Sequence, residues 1–466
     1  MAKVILIAGL GFGDEGKGSI VDYLTRLYHS KLVVRYCGGA QAAHNVVLPN
    51  GTHHTFAQFG SGTLAGADTL LSRYMMVNPL ALEEEVQALV ALGHSPYNVL
   101  FVEGEALVTN VYQVAANRLR ETIRNKRHGS CGMGIGETAK DALEHPDMAL
   151  RIGDLPNRDK VHEKLRFSRN LKLKEFEGCD IDAGDPNLLL LRDEAALSYY
   201  AVRYHAFGCK INIVDRNWLE FRLSRDSTVI FEGAQGVLLD QDYGFFPYVT
   251  RSDITFNNAY ELLGDFNGPV RRMGILRAYM TRHGAGPFPT EVHDKDAAGN
   301  CTEYATDTHN KYGEWQQSFR LGHFDMVLAR YALEVIGGVD ELVITNLDKL
   351  RVTDRPSVCV GYVLEKGVSI TKLPVQQRLD LYGCLRGLEP NLDKQEELTR
   401  KIENAIPVVK LFDRSAFLDD IAQELKTPVT LCSTGPTYED KTPWPREEER
   451  HGTDSDRTQE QEVRPH

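Results

Sequence analysis

The chain has 466 residues, of which 42% are hydrophobic and 25% charged, an ordinary balance for a soluble protein able to bury a large core. At about 150 residues per domain, this length allows one large domain or up to about three. A formal net charge of −12 argues against general binding to nucleic acid or an anionic membrane, and leaves only local basic pockets for anions.

Eight cysteines without a CxxC pair suit reduced thiols in the cytosol better than disulfides or a zinc site. The opening "MAKVILIAGL" is too short and too quickly glycine-rich for a signal peptide. No apolar run approaches the roughly 20 residues of a membrane helix. A cytoplasmic protein is expected, with no nucleic-acid or membrane partner.

In chain order, residues 4–8 read as a strand, and "GFGDEGKG" (11–18) leads into a helical pattern carried by Ile20, Val21, Leu24 and Leu27. Further β-rich runs lie at 32–36, 99–102, 211–214, 228–231, 342–345 and 429–432, with helical stretches such as 195–206 between them. This alternation predicts an α/β fold with a large, mostly parallel central sheet and a P-loop-like glycine-rich phosphate loop after strand 1. Several runs end in glycine-containing loops, including "FEGAQG" (231–236) and "CSTGP" (432–436). Sites in open α/β sheets form at such carboxyl ends. From Thr437 onward the chain is polar and charge-mixed, a composition that buries no core. The expected organisation is therefore a catalytic domain over 1–437 and a disordered tail over 438–466.

Residues 11–18 fit two motifs at once. Gly11, Gly13 and Gly16 have dinucleotide-fingerprint spacing, and Gly11 through Lys17 make most of a P-loop. A dinucleotide site needs an acid after the second strand, but "VVRYCGG" (33–39) has none. A P-loop needs Ser or Thr after its lysine, and here Gly18 follows. A purely structural turn leaves Lys17 unexplained. Backbone amides at a helix start together with one ammonium suit phosphate best. Carboxylates beside phosphate repel it unless a magnesium ion or a substrate proton lies between. Asp14 can serve both purposes, so its place in the loop points to chemistry.

On these residues the chain resembles the adenylosuccinate synthetase family. "GFGDEGKG" is similar to the family's signature loop, with Phe12 where tryptophan is usual. "FEGAQGVLLDQDYGFFPYVTRS" (231–252), "AYMTRHGAGPFPTE" (278–291), "TNLDKL" (345–350) and "STGP" (433–436) resemble four further family blocks, in order. The resemblance implies a magnesium-dependent purine-biosynthesis ligase, a homodimer, whose partners are a purine monophosphate, a nucleoside triphosphate (GTP favoured) and an amino-acid donor. Such enzymes phosphorylate the 6-oxygen of IMP with GTP, then displace phosphate with the amine of aspartate.

Carried onto this chain, the resemblance implies that Asp14 is the base, His44 the general acid and Lys17 the group that neutralises phosphate charge. Gln235 would hold the purine edge, and Asp22 would orient His44. The triphosphate would meet Gly13, Glu15, Gly16, Lys17, Gly18 and Asn45, with its base at Asp348, Ser433, Gly435 and Pro436. The substrates would meet Asp14, Gln41, Cys131, Gln235, Thr250 and, from the run that binds aspartate and the nucleotide, Arg320. Magnesium would be held by the Asp14 carboxylate and the Ala43 carbonyl.

Departures from the family fall on the site. Gln41 stands for an asparagine, Ala43 for a glycine, Cys131 for a threonine and Asn346 for a lysine that packs on guanine. "ETAKDALEHPD" (137–147) lacks the arginine that the family supplies across its dimer. Aligned on Gly322 and Asp325, the donor-binding arginines fall on Gln317 and Phe319, and only Arg320 remains. Forked guanidinium groups suit carboxylates, and these replacements do not. His309 and Lys311 are candidate substitutes. The alternatives are a ligase with another amino donor, a phage-type relative acting on (d)GMP, and a non-catalytic nucleotide-binding regulator. The phage-type enzymes place serine where Asp14 stands.

Overall fold

The computed structural model describes residues 1–124, 130–293, 304, 315, 318–352, 355–364, 368–370 and 392–445. Ten strands form one sheet: β1 (Lys3–Gly9), β2 (Leu32–Arg35), β3 (Asp68–Leu71), β4 (Leu100–Glu103), β5 (Asn212–Val214), β6 (Thr228–Gly236), β7 (Val270–Arg277), β8 (Glu341–Thr345), β9 (Val429–Ser433) and β10 (Lys441–Pro443). Their spatial order is β10-β9-β8-β7-β1-β6-β2-β3-β4-β5. Every neighbouring pair is parallel except β9–β10. A large, mostly parallel α/β sheet is what the alternating runs predict.

Both faces of this sheet are covered, which is why its strands read as nearly unbroken apolar runs. Along β1, Val4, Leu6 and Ala8 enter one core layer, while Ile5 and Ile7 enter the other beneath Ile20, Val21 and Leu24 of helix α1 (Lys17–Leu27). Beyond β4, the helices α2 (Val111–Ile123), α3 (Ile135–Glu144) and α4 (Arg158–Glu175) add a third layer around Tyr112, Leu119 and Leu165.

Because the strands run the same way, their carboxyl ends gather on one edge. Gly9 of β1 lies in register with Gly236 of β6, so the glycine loop and "FEGAQG" meet at the middle of the sheet. Strand order reverses about β1, the place where α/β sheets open a crevice. Two small hairpins face that edge. One pairs His44–Val47 with His53–Phe56, and the other pairs Met280–His283 with Phe319–Gly322.

The structure corrects one boundary. The sheet does not stop at residue 437, because β10 adds an antiparallel edge strand with Ser433 opposite Lys441. Hairpin closure and the burial of Lys441 order a stretch whose composition alone reads as tail.

Candidate functional site

The loop after β1 explains one of its two carboxylates directly. Glu15 is buried and turned inward: its Oε1 accepts from the amides of Gly11 (2.9 Å) and Gly13 (2.8 Å), and its Oε2 pairs with Lys17 Nζ at 2.6 Å. Lys17 Nζ also donates to the Gly13 carbonyl (2.8 Å). Two of the three ammonium donors are thus committed, leaving one for a ligand. The Glu15 carboxylate is thus spent inside the loop, so the nucleotide contact expected of this residue would fall to its backbone. Thr345 Oγ1, at the end of β8, donates to the Glu15 carbonyl (2.7 Å) and ties the loop to the neighbouring strand.

Two glycines are sterically required. Gly16 caps α1 with φ 88°, a left-handed conformation that side chains disfavour. A Cβ at Gly18 would lie 2.9 Å from both the carbonyl carbon and the Cβ of His44. The position where a P-loop keeps Ser or Thr is therefore filled by the His44 strand.

Asp14 is part-buried, with its Oδ2 shielded from solvent and 3.2 Å from His283 Nε2. Burial works against its charge, but the His283 contact and the cations Arg277 and Lys17 hold the carboxyl below its usual range. Asp14 is thus an ionised, partly accessible carboxylate.

His44 is buried between two acceptors. Its Nδ1 lies 2.5 Å from Glu232 Oε1, and its Nε2 lies 2.8 Å from the Ala234 carbonyl. Glu232 also accepts from the Ser61 amide (2.9 Å) and hydroxyl (2.5 Å). Burial alone would raise Glu232, yet Arg35, His44 and Ser61 bring it down to about 2. Burial likewise pulls His44 below its usual value, although Glu232 pulls it up. Two acceptors around one ring suit donation from both nitrogens, so Glu232 and the Ala234 carbonyl oppose the burial that favours the neutral ring. Asp22, expected to orient His44, instead binds Arg26 through both carboxylate oxygens at 3.0 Å. Glu232 takes that role.

Gln41 and Gln235 carry the clearest signature of an incomplete site. Both side-chain atoms of each amide are shielded from solvent and have no hydrogen-bond partner among the described residues. Each approaches the Gly38–Gly39 backbone, so the two unpaired amides flank one short segment after β2. Thr250 is half-buried at the end of a loop pinned by its amide bond to the Leu239 carbonyl (2.8 Å). Cys131 is half-buried in the turn before α3, and its thiol is pushed up by burial. Ala43 is exposed beside His44, and the Asn45 side chain accepts from His53 (2.6 Å) and Thr55 (2.9 Å).

At the far end of the sheet edge, half-buried Asp348 follows β8, with Lys349 Nζ 3.7 Å away. Asn346 takes a left-handed φ of 58°. Ser433 is buried, Gly435 half-buried and Pro436 exposed in the turn between β9 and β10. On the other hairpin, Arg320 donates to Glu291 Oε2 (2.9 and 2.6 Å) and to the carbonyls of Gly284 (3.1 Å) and Gly286 (2.9 Å). All three of its nitrogens are engaged within the protein. Gln317, His309 and Lys311 lie outside the described residues.

A family model described as adenylosuccinate synthetase matches residues 6–442. The chain is 33% identical over 448 residues to the adenylosuccinate synthetase of Cyanothece sp., covering 93% of each. It is 35% identical over 387 residues to that of Mycobacterium leprae, covering 81% of this chain and 84% of the relative. The chain belongs to the adenylosuccinate synthetase family. It is accordingly a ligase. Its fold matches the fully ligated adenylosuccinate synthetase of Plasmodium falciparum with a TM-score of 0.74 at 22% identity, over 94% of this chain and 99% of the other. It also matches a cyanophage S-2L succinoaminodeoxyadenylate synthetase, bound to dGMP and dATP, with a TM-score of 0.51 at 19% identity over 98% and 99%.

In this family member the residues that sequence reasoning missed are Glu232, Ser61, Arg35 and His283. Glu232 and His283 both lie inside blocks that carry the resemblance. Their partners, however, are 188 residues away for Glu232 and across the sheet edge for His283. No local pattern in the sequence announces those pairings.

Proposed function

We propose that the protein phosphorylates the 6-oxygen of an IMP-like purine monophosphate with GTP, and displaces the phosphate with an amine, aspartate being the family's donor. The observation that carries this reading is the meeting of a base and an acid at one crevice. Asp14 stands ionised on the loop after β1, and His44 is held against Glu232 and Ala234 of β6, the strand in register with β1. A binding module needs neither.

In this mechanism Asp14 takes the proton from N1 of the purine, and the electrons released make the 6-oxygen nucleophilic toward the γ-phosphorus. His44 exchanges the Ala234 carbonyl for a phosphate oxygen and donates from Nε2 as charge develops, while Glu232 stabilises the imidazolium. Lys17 offers its uncommitted N–H to the transferring group. Gln41 and Gln235 give the purine edge the partners that both amides lack. Asp348 accepts from guanine N1 and N2. The Asp14 carboxylate and Ala43 carbonyl are hard oxygen donors of the kind magnesium takes, and the ion would spread the charge of the transferring phosphate. In solution the protein is proposed to be a cytoplasmic homodimer.

The Arg320–Glu291 pairing favours a second reading of the amino donor. With its only retained arginine engaged, the donor pocket suits an amine carrying fewer carboxylates. Retained Asp14 argues for IMP over (d)GMP.

Phosphate release from the full-length protein, measured over a panel of purine monophosphates, triphosphates and amino acids, tests both readings. IMP with GTP is expected to give the highest rate, and Asp14→Ala to lower it by about 10² or more while nucleotide still binds. Near-normal turnover in Asp14→Ala would remove the catalytic reading.

A further inference from the structure

Lys441 sits in the last strand of the sheet, beyond the point where the sequence turns tail-like, yet it is only 6% exposed. Its position opposite Ser433 in the β9–β10 hairpin brings its side chain back under the turn that starts at Ser433. There Nζ donates to the carbonyls of Gly435 (2.8 Å) and Thr437 (2.7 Å). The neighbouring Asp440 closes the same turn: its carboxylate accepts from the Thr437 amide and hydroxyl at 2.7 Å each, and its carbonyl accepts from the Thr434 amide at 3.1 Å. The carboxylates whose fields reach the ammonium are those of Asp440, Asp22 and Asp348. Asp22 belongs to α1, where Arg26 binds it and lies over the Tyr438 ring at 4.4 Å.

Burying an ammonium is costly unless it is paired, and Lys441 is paired with two carbonyls instead of a contacting carboxylate. It is poor value as a stabilising element. Two of its three donors are committed, and the field of Asp348, which follows the strand paired with β9, reaches the ammonium. Burial pulls the ammonium down to about 8, so it remains mostly charged at neutral pH. At this end Lys349 Nζ lies 3.7 Å from Asp348, while Asn346 supplies no cation.

We propose that Lys441 is a specificity-determining residue for the base of the triphosphate. It fixes the 433–437 turn and sets a buried positive charge within the field of Asp348. That pattern matches a purine edge with a keto oxygen next to N–H groups, which is guanine. An adenine edge would present its amino group to the ammonium instead. The inference rests on the ligase reading above, which puts the triphosphate's base at this end of the sheet.

The test is calorimetric binding of GDP and of ADP to the full-length protein and to Lys441→Met, Lys441→Gln and Lys441→Arg. Lys441→Met is expected to weaken GDP by about tenfold or more, the scale of one lost hydrogen bond to a charged group, and to leave ADP within about twofold. Lys441→Gln, which keeps an amide donor for the turn but no charge, should also lose the GDP preference, and Lys441→Arg should retain part of it. Equal weakening of GDP and ADP in Lys441→Gln would show that the residue only braces the turn, and unchanged GDP binding would overturn the proposal outright. Turnover by the unmodified protein is scored separately, so loss of the ligase reading and loss of this inference give different results.

Discussion

His44 lies between Glu232 on one side and the Ala234 carbonyl on the other, so its acidity is set by a neighbour that sequence spacing does not reveal. Replacing Glu232 with glutamine preserves shape and one acceptor but withdraws the charge that supports the imidazolium. Phosphoryl transfer is expected to slow by about 10² or more, with the KM for the triphosphate changed only a few-fold. His44→Asn should slow it comparably. Because the two residues act as one unit, the double variant should lose little beyond either single one. Steady-state phosphate release on the three variants checks this, and fully multiplied losses would show that the residues act independently. Legibility at this scale divides by distance along the chain. Asp14, Lys17 and the glycines are readable because their chemistry sits within eight residues. The inward turn of Glu15 is not, because only coordinates say which carboxylate of an adjacent pair faces the loop's own amides.

Elements were legible where both sheet faces are covered, and obscure where charge interrupts the pattern. The runs in β1, β2, β6, β8 and β9 read as strands because both of their faces are buried. β7, "VRRMGILR", hides behind Arg271 and Arg272, which leave the sheet edge to pair with Glu341 and Asp340. The loop that follows β6 depends on a single carboxylate. Asp240 accepts from the amides of Asp242 (2.9 Å), Tyr243 (3.0 Å) and Ile254 (2.7 Å) and so shapes the path to Thr250. Burial, helped by Asp253, nevertheless raises it to about 7 against those hydrogen bonds. The folded protein therefore binds this proton more tightly than the unfolded chain, so its contribution to stability falls as pH rises from about 4 to about 7. Denaturant unfolding across that window should show the decline. Asp240→Asn should remove this part of it and cost about 1–3 kcal/mol, since its amide would face the Ile254 N–H. The hairpin carrying Phe319 and Arg320 supports a second expectation at this scale. With arginines absent at 317 and 319 and Arg320 held by Glu291, L-aspartate is expected to lack charge-assisted partners among the described residues. Losing two such contacts at about 1.5–3 kcal/mol each weakens binding roughly a hundredfold or more. Gln317→Arg should lower the KM for aspartate, whereas a micromolar KM in the unmodified protein would mean that other residues supply the charge.

At the scale of the whole chain, composition separates core from tail only where the tail makes no specific contacts. Residues 438–445 are polar, yet they close a turn, add an edge strand and send Trp444 Nε1 to Asp419 (3.1 Å). A hydrophobicity reading misses them because hydrogen bonds, one buried lysine and the packing of a single aromatic, Trp444, order them. Two truncations separate the possibilities. Ending the chain after Pro445 keeps every strand of the sheet, and its melting temperature and GDP binding should match those of the full-length protein. Ending it after Thr437 removes β10, the Asp440 closure and the Lys441 brace, and it exposes the backbone of β9 as an open edge. That shorter chain should melt several degrees lower and bind GDP more weakly, while a monophosphate ligand at the β1–β6 crevice should be affected less because its contacts lie at the middle of the sheet. Thermal unfolding with and without each nucleotide reads all three quantities. Equal melting temperatures for the two truncations would return the boundary to residue 437.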